Sequence, residues 1–142
     1  MEKESEILRK HGIRVTPQRL AVYSVIIGLH RHLGVSEVYS EVQRNMPAIS
    51  LATVYTILEI FRDRGLVREL KIDFERSFYE ARLEWHHHFF CRKCKRIFDI
   101  DIDLCPTLRG GEIDGHVMDD FHGYFYGECK ECRKNSSRRT GR

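Results

Sequence analysis

Residues 50–65 read SLATVYTILEIFRDRG, and this stretch has the start, the stripe and the end of an amphipathic helix. Ser50 can cap the helix, because its hydroxyl oxygen can accept a hydrogen bond from a free N–H group of the first turn. Gly65 is predicted to end it after Arg64. Helical spacing predicts one buried stripe, made of Leu51, Val54, Leu58 and Phe61. The exposed face is small, hydroxylated and aromatic, with Ala52, Thr53, Tyr55, Thr56 and Glu59.

A β-hairpin is predicted directly after this helix. Residues 66–72 and 77–81 resemble strands, and the polar residues between them form the turn. Three shorter helical patterns precede residue 50. They are a helix at 4–11 ended by Gly12, a helix that starts at Thr16-Pro17 and runs through Leu29, and a helix that Ser36 caps and Pro47 ends. Helices followed by such a hairpin predict a winged helix, a variant of the helix-turn-helix that binds DNA.

The character of the chain changes near residue 82. Clustered histidines, cysteines and alternating strand-like runs follow this point. Strands are predicted at 86–91, 97–101 and 116–127, and a helix is predicted at 104–114. The fold class is therefore α+β, with a winged helix followed by a small α/β domain.

These elements predict four segments. A winged-helix DNA-binding domain occupies 1–81, and a hinge occupies 82–85. The second domain, which we expect to bind metal, occupies 86–132. The last segment, 133–142, is a basic tail that we expect to be disordered.

Charge and hydropathy exclude some classes of protein. No apolar run approaches the roughly 18–20 residues that a membrane-spanning helix needs, and the charged N-terminus lacks the apolar core of a signal peptide. We therefore expect a cytoplasmic protein without a membrane partner. The net charge is +3, but five of the 24 basic residues lie in 133–142, which leaves 19 against 21 acidic residues. Any affinity for DNA must come from local charge or from the tail.

Two Cys-x-x-Cys pairs give the strongest chemical signal. Two thiolates in one such turn can share a metal ion, and two turns supply a closed tetrahedral shell that suits structural Zn²⁺. The four cysteines are Cys91, Cys94, Cys129 and Cys132. A redox-active dithiol and unrelated buried cysteines are the alternatives. Cys105 belongs to neither pair, and we expect it to be a core residue.

A second group of potential ligands surrounds the hinge. Because side chains alternate along a strand, His86 and His88 face one side and His87 faces the other. Asp99 on the next strand can lie opposite the pair, and Glu80 lies at the hinge. Imidazoles with carboxylates favour Fe²⁺, Mn²⁺ or Zn²⁺ over soft metals. The alternative is a surface cluster of histidines.

Taken together, these residues resemble the ferric uptake regulator superfamily over about residues 7–132. Five motifs carry the resemblance, in the order and at the spacing of that family. They are GIRVTPQR (12–19), SLATVY (50–55), GLV (65–67), HHHFFCRKC (86–94) and YGECKEC (126–132).

The resemblance implies a homodimer with a dimerisation domain at 86–132. It also adds His32, which precedes the third helix, to the second group of ligands. The implied regulatory site is His32, Glu80, His86, His88 and Asp99. Fe²⁺ or Mn²⁺ is the expected co-repressor, with Zn²⁺ as a further candidate. The expected partner is a palindromic double-stranded operator, contacted by Arg14, Arg19, Ser50, Thr53, Tyr55 and Thr56.

The sequence departs from the family in several positions. Trp85, His87 and Pro106 stand where many iron-responsive members have ligands of a further site, and His122 is one residue out of register. We therefore predict that this further site is absent or altered. Glu80 is typical of iron sensors, whereas peroxide sensors of the family typically have Asp there.

Two alternative functions remain. A peroxide sensor on the same scaffold would undergo oxidation at His32 or His86. A metalloenzyme would also use imidazoles and carboxylates around an open metal, but no general base, nucleophile or substrate-binding motif accompanies them. We therefore predict a protein that is not an enzyme.

Overall fold

The computed structural model describes residues 2–29, 31–84, 86–103, 111–119, 121 and 123–139. The chain forms two compact units, Met1–Glu84 and Trp85–Arg142, and the division falls at the end of the predicted hinge. No helix among the described residues is long and apolar enough to cross a membrane. His30, Trp85, Cys105, Pro106 and His122 lie outside the described residues.

The first unit is a winged helix. Its helices are α1 (Glu2–Lys10), α2 (Pro17–Leu29), α3 (Val35–Asn45) and α4 (Leu51–Asp63). Its strands are β1 (Leu33–Gly34), β2 (Arg68–Leu70) and β3 (Phe78–Glu80). They form an antiparallel sheet in the order β1-β3-β2, so the predicted hairpin gains a third, short strand.

The helices enclose one apolar core, to which α4 contributes Val54, Leu58 and Phe61, all fully buried. The prediction of a buried side chain was wrong for one residue of the stripe. Leu51 is 41% exposed, and Ile57 is buried instead. Leu51 is the first helical residue, so it lies beyond the packed part of the helix.

The termini of the helices follow from local hydrogen bonds. Ser50 caps α4 as predicted, because its Oγ accepts from the Thr53 N–H at 3.0 Å. Gly12 and Gly65 follow α1 and α4 with φ of +67°, a left-handed conformation that glycine adopts without a steric cost. The prediction that Ser36 caps α3 was wrong. The N-cap is Gly34, two residues earlier, and its N–H donates to Glu37 Oε2 at 2.9 Å.

The second unit contains a three-stranded sheet and a small hairpin. Its elements are β4 (His87–Cys91), β5 (Ile97–Ile100), β6 (Glu112–Ile113), β7 (His116–Val117), β8 (Tyr124–Gly127) and α5 (Lys130–Arg139). The sheet order is β5-β4-β8, with β4 antiparallel to β5 and parallel to β8. β6 and β7 pair as a separate antiparallel hairpin.

Three predictions for this unit need correction. Residues 104–110 of the predicted helix lie outside the described residues, but Glu112–Ile113 is a strand rather than helix. The long strand predicted at 116–127 is two short strands in different sheets. The tail predicted to be disordered is helical over 133–139, because α5 continues from the second cysteine pair.

Candidate metal centre and DNA-binding surface

The four paired cysteines converge at one end of the second unit. Cys91 ends β4 and Cys94 closes the turn after it, while Cys129 precedes α5 and Cys132 lies in its first turn. Their sulfur atoms all lie within 4.8 Å of one another. Cys91 Sγ is 3.9 Å from Cys132 Sγ, and Cys94 Sγ is 3.8 Å from Cys129 Sγ.

These distances fit a zinc ion and not disulfides. A disulfide needs an S–S distance of about 2.05 Å. A tetrahedron with Zn–S bonds of about 2.3 Å has edges of about 3.8 Å. The four thiols therefore have the number, chemistry and spacing of a closed Zn²⁺ site. Such a site would hold together β4, α5 and the zinc knuckle, which is the turn at residues 91–96.

Backbone N–H groups prepare this cluster for a cation. Burial raises the pKa of Cys91, but N–H groups donated by Cys94 at 3.5 Å and Cys129 at 3.3 Å outweigh it and hold that pKa at about 6. The neighbouring Cys129 side chain, together with burial, raises the pKa of Cys132 to about 12. The cluster thus favours some thiolate charge and disfavours four uncompensated charges, which a divalent cation would offset.

Two cations from the knuckle surround the cluster. Lys93 Nζ lies 2.7 Å from Glu128 Oε1 and 2.8 Å from Ser136 Oγ. Arg96 bonds the Cys94 side chain and forms an ion pair with Glu131. These pairs join the knuckle after β4 to the segment that carries the second cysteine pair. Their positive charges also favour thiolates.

The first unit holds two of the predicted regulatory ligands side by side. His32 Nε2 is 2.9 Å from Glu80 Oε2, and both side chains are almost completely buried. The pairing of β1 with β3 explains this proximity, because Leu33 is opposite Tyr79. Arg68 of β2 lies opposite Glu80 of β3, and its Nη1 atom is 3.8 Å from Glu80 Oε1. The Arg68 side chain also donates to the Leu83 carbonyl at 2.8 Å.

The second unit holds the other three predicted ligands. His86 and His88 lie on the same side of the strand, with ring centroids 4.4 Å apart. Asp99 Oδ1 is 3.3 Å from His86 Nε2 and 3.8 Å from His88 Nε2. His87 faces the opposite side, as predicted. It is buried, with its ring 5.9 Å from each of the rings of Phe121 and Phe125, so it is a core residue.

The predicted DNA-contacting residues lie around the N-terminal half of α4. A surface concavity of about 400 Å³ is lined by Arg14, Arg19, Thr53 and Thr56, together with Thr16, Gln18, Ala52, Ile57 and Ile60. Arg19 Nη1 donates to the Arg14 carbonyl at 2.8 Å, which fixes its orientation. Tyr55 is 47% exposed, so its ring is available to a partner. Ser50 is exposed, and its hydroxyl lies 2.8 Å from Thr53 Oγ1.

A sequence model of the Ferric uptake regulator family matches residues 10–108. The chain belongs to this family. It is therefore a metal-responsive regulator, and regulators of the ferric uptake regulator family are transcription factors that bind DNA as dimers.

Known proteins of the ferric uptake regulator family extend the match over nearly the whole chain. The chain is 35% identical to the peroxide-responsive repressor PerR of Staphylococcus aureus (strain Mu50 / ATCC 700699) over 138 residues, which cover 94% of this chain and 91% of that repressor. The iron-containing ferric uptake regulator of Francisella tularensis superposes with a TM-score of 0.74 and 29% identity, covering 86% of this chain and 96% of that one. The manganese-containing regulator of Pseudomonas aeruginosa has a TM-score of 0.72 and 27% identity, covering 89% and 98%.

The sequence alone did not indicate three cations that contact the candidate ligand groups. Arg68, Lys93 and Arg96 are surface-type residues in stretches rich in charge, so their types carry no signal. Only the register of the hairpin could have paired Arg68 with Glu80. Arg96 and Glu131 are 35 positions apart in the sequence, and no local pattern joins them.

Proposed function

We propose that this chain is a homodimeric repressor whose binding to an operator requires Fe²⁺ or Mn²⁺, with Zn²⁺ as a further candidate. The proposed regulatory ligands are His32, Glu80, His86, His88 and Asp99. A separate structural Zn²⁺ is held by Cys91, Cys94, Cys129 and Cys132. The observation that carries the proposal is the pairing of buried imidazoles with carboxylates in each unit.

The chemistry of these ligands supports the proposed metals. Three imidazoles and two carboxylates form a donor set that Fe²⁺, Mn²⁺ and Zn²⁺ accept. The ion supplies a positive charge that both carboxylates can share. His32 and Glu80 are already in contact at 2.9 Å, and Asp99 is within 3.8 Å of both strand histidines, so little rearrangement is needed to present these atoms.

Ligands from both units would couple metal binding to the positions of the winged helices. The effect is a population shift, because a ligand favours the conformation to which it binds more tightly. A typical coupling free energy of about 1–3 kcal/mol gives roughly 5–150-fold in DNA affinity.

An exposed aromatic edge supports dimerisation through the second unit. β8 is an edge strand of its sheet, and Phe125 and Tyr126 on it are 41% and 40% exposed. Exposed aromatic residues on an unpaired edge favour association with a second copy. A two-fold axis through such a dimer predicts a palindromic operator.

The surface around α4 supports direct reading of that operator. In the proposed complex, α4 enters the major groove and Tyr55 contacts a thymine methyl group. Thr56 lies on the same exposed surface, while Ser50 and Thr53 contact phosphates at the start of the helix. Arg14 and Arg19 contact the backbone or the minor groove.

A selection from random double-stranded DNA tests this function. The zinc-loaded protein should enrich a palindromic sequence when Mn²⁺ or anaerobic Fe²⁺ is present, and should enrich little without a second metal. The matched control is the Asp99→Asn variant in the same metal, which should behave like the metal-free wild type. Enrichment of one sequence by both proteins, with or without metal, would contradict the proposal.

A peroxide-responsive repressor is the second candidate function. It is favoured by the 35% identity to the Staphylococcus aureus repressor. Glu80, in contrast, is the residue that the family's iron sensors typically have. In the peroxide reaction, one oxygen atom of peroxide is added to an imidazole of His32 or His86 and the other leaves as water.

Mass spectrometry distinguishes the two functions. The iron-loaded protein is treated with peroxide, and the manganese-loaded protein serves as the control. A gain of one oxygen atom on His32 or His86 in the iron form alone, with loss of operator binding, would establish the peroxide response. Unmodified histidines and retained binding would support metal sensing.

A further inference from the structure

Helix α5 concentrates positive charge in one short segment. Residues 130–139 contain five basic residues and one acidic residue, a net charge of +4, whereas the whole chain has a net charge of only +3. The remainder of the chain is therefore slightly acidic. A concentrated positive charge on an otherwise acidic protein attracts polyanions to that segment.

The acidic groups next to α5 are already engaged by the zinc knuckle. Glu128 contacts Lys93 at 2.7 Å and accepts from Ser136 at 3.0 Å. Glu131 forms an ion pair with Arg96. Both carboxylates therefore have cationic partners outside α5.

Three further cations of α5 interact with Glu128 and Glu131 only at longer range. Lys130, Arg133 and Lys134 are exposed, and within the described part of the chain none of them has an ion pair within 4 Å. Together with Ser137 and Glu128 they line a surface concavity of about 580 Å³. Their spacing, i, i+3, i+4 and i+7, places the three cations and Ser137 on one face of the helix.

The zinc cluster fixes the position of this face. Cys132 belongs to α5 itself, and Cys129 directly precedes the first residue of this helix. One turn later, Ser136 Oγ lies 3.1 Å from the Cys132 carbonyl oxygen and 2.8 Å from Lys93 Nζ. A surface that is ordered before it binds loses less conformational entropy than a disordered basic tail would lose.

We propose that this face of α5, defined by Lys130, Arg133, Lys134 and Ser137, binds the phosphate backbone of double-stranded DNA without reading its sequence. The proposal rests on the proposed function as a DNA-binding regulator. Cations and hydroxyls are the side chains that contact phosphates, and they add affinity that is independent of sequence.

The composition of α5 favours duplex DNA over other polyanions. Its sequence, KECRKNSSRR, has no large apolar residue, whereas a helix that binds a membrane surface needs an apolar face. It also has no aromatic residue, and single-stranded nucleic acids are bound by stacking on aromatic rings. A row of cations and hydroxyls fits a regular double-stranded backbone.

Salt dependence of DNA binding tests the proposal in the full-length, zinc-loaded protein. The test variant carries Lys130→Gln, Arg133→Gln and Lys134→Gln. The control carries Lys130→Arg, Arg133→Lys and Lys134→Arg, which keeps every charge. Affinity is measured against KCl concentration for the selected operator with Mn²⁺ and for a scrambled duplex of equal length. Zinc content and circular dichroism verify that all three proteins are folded.

The slope of log K against log salt should become less steep by about 0.9 for each phosphate that is no longer neutralised, and so by up to about 2.7 per protomer. The change should be the same on operator and scrambled DNA, and absent in the control. Equal slopes for all three proteins would overturn the proposal. Binding to phosphatidylglycerol vesicles is measured in parallel. A loss of vesicle binding in the test variant, with unchanged binding to both duplexes, would also overturn the proposal. The proposed function is tested by a different quantity, the metal-dependent preference for the operator over the scrambled duplex. The test variant should keep this preference.

Discussion

Asp99 lies directly opposite His88 across the β4–β5 pair, and its Oδ1 atom is 3.8 Å from His88 Nε2 and 3.3 Å from His86 Nε2. The register of two adjacent strands thus places one carboxylate beside two imidazoles. The alternation of side chains puts His87 on the other side, among aromatic rings. Three consecutive histidines therefore have two different surroundings, because side chains alternate along the strand.

This relationship makes Asp99→Asn the sharpest test of the ligands in the second unit. The amide keeps the shape of the side chain but removes the charge, so Mn²⁺ affinity should fall by at least about tenfold. Asp101→Asn is the matched control, since Asp101 is exposed and follows the end of β5. Competition with a fluorescent chelator measures both affinities. Equal reductions in the two variants would show a general charge effect rather than a ligand.

The proposed zinc site should determine whether the second unit folds. Cys94→Ser leaves three thiols, and we expect loss of the bound zinc and of the near-ultraviolet circular dichroism of this unit, because zinc binding contributes directly to folding in such small domains. Cys105→Ser should keep one zinc per protomer, since Cys105 belongs to neither pair. Elemental analysis after dialysis checks both variants. Full zinc content in Cys94→Ser would rule out the four-thiol site.

Glu69 should make the first unit more stable above acidic pH. Burial raises its pKa, but hydrogen bonds from Arg62 at 2.7 Å and from Ser77 outweigh this and lower the pKa below its usual 4.5. A lowered folded-state pKa means that the stabilisation is present above about pH 4.5 and is lost as the pH falls through the folded-state value.

Glu69→Gln should therefore reduce the free energy of unfolding at pH 7 by about 1 kcal/mol, a modest value because solvent screens the pair. The difference from wild type should shrink as the pH falls below about 4.5, and it should disappear once the carboxylate is protonated in the folded state as well. Glu6→Gln is the control, because Glu6 forms an exposed pair with Lys10 and should change stability little. Urea unfolding from about pH 3 to pH 7 measures this, and a deficit that grows in acid would contradict the stated cause.

Tyr55 should contribute to specificity rather than to general DNA affinity. Tyr55→Ala removes an apolar contact to one base pair, which should weaken operator binding roughly tenfold, a typical cost for a single base pair that is no longer read. Binding to a scrambled duplex should be unchanged and serves as the internal control. Fluorescence anisotropy at fixed salt measures both. Unchanged operator affinity would show that Tyr55 does not read the DNA.

Local features of the sequence predicted what local forces determine. The start of α4 at Ser50 depends on a hydrogen bond three residues away, and its end at Gly65 depends on one backbone conformation. The cysteine cluster was predictable for a similar reason, since each Cys-x-x-Cys turn presents two thiols in one place. The alternation of His86, His87 and His88 followed from strand geometry alone.

The errors arise where distant parts of the chain decide the outcome. The strand predicted at 116–127 divides because Tyr124–Gly127 pairs with β4, which lies far earlier in the chain, while His116–Val117 pairs with Glu112–Ile113. Residues 133–139 are helical because they continue α5, whose first turn carries Cys132 and whose second turn carries Ser136, which contacts Lys93. No periodicity in the tail itself indicates either contact.

The most direct test of the central claim is operator binding by the zinc-loaded protein, measured by fluorescence anisotropy and titrated separately with anaerobic Fe²⁺, Mn²⁺ and Zn²⁺. Wild type is compared with His86→Ala and with His116→Ala, an exposed histidine in the β6–β7 hairpin. We predict that at least one metal raises affinity by about fivefold or more, as the typical coupling of roughly 5–150-fold indicates, in wild type and in His116→Ala but not in His86→Ala. Equal DNA affinity with and without a second metal, or an undiminished response in His86→Ala, would contradict the account.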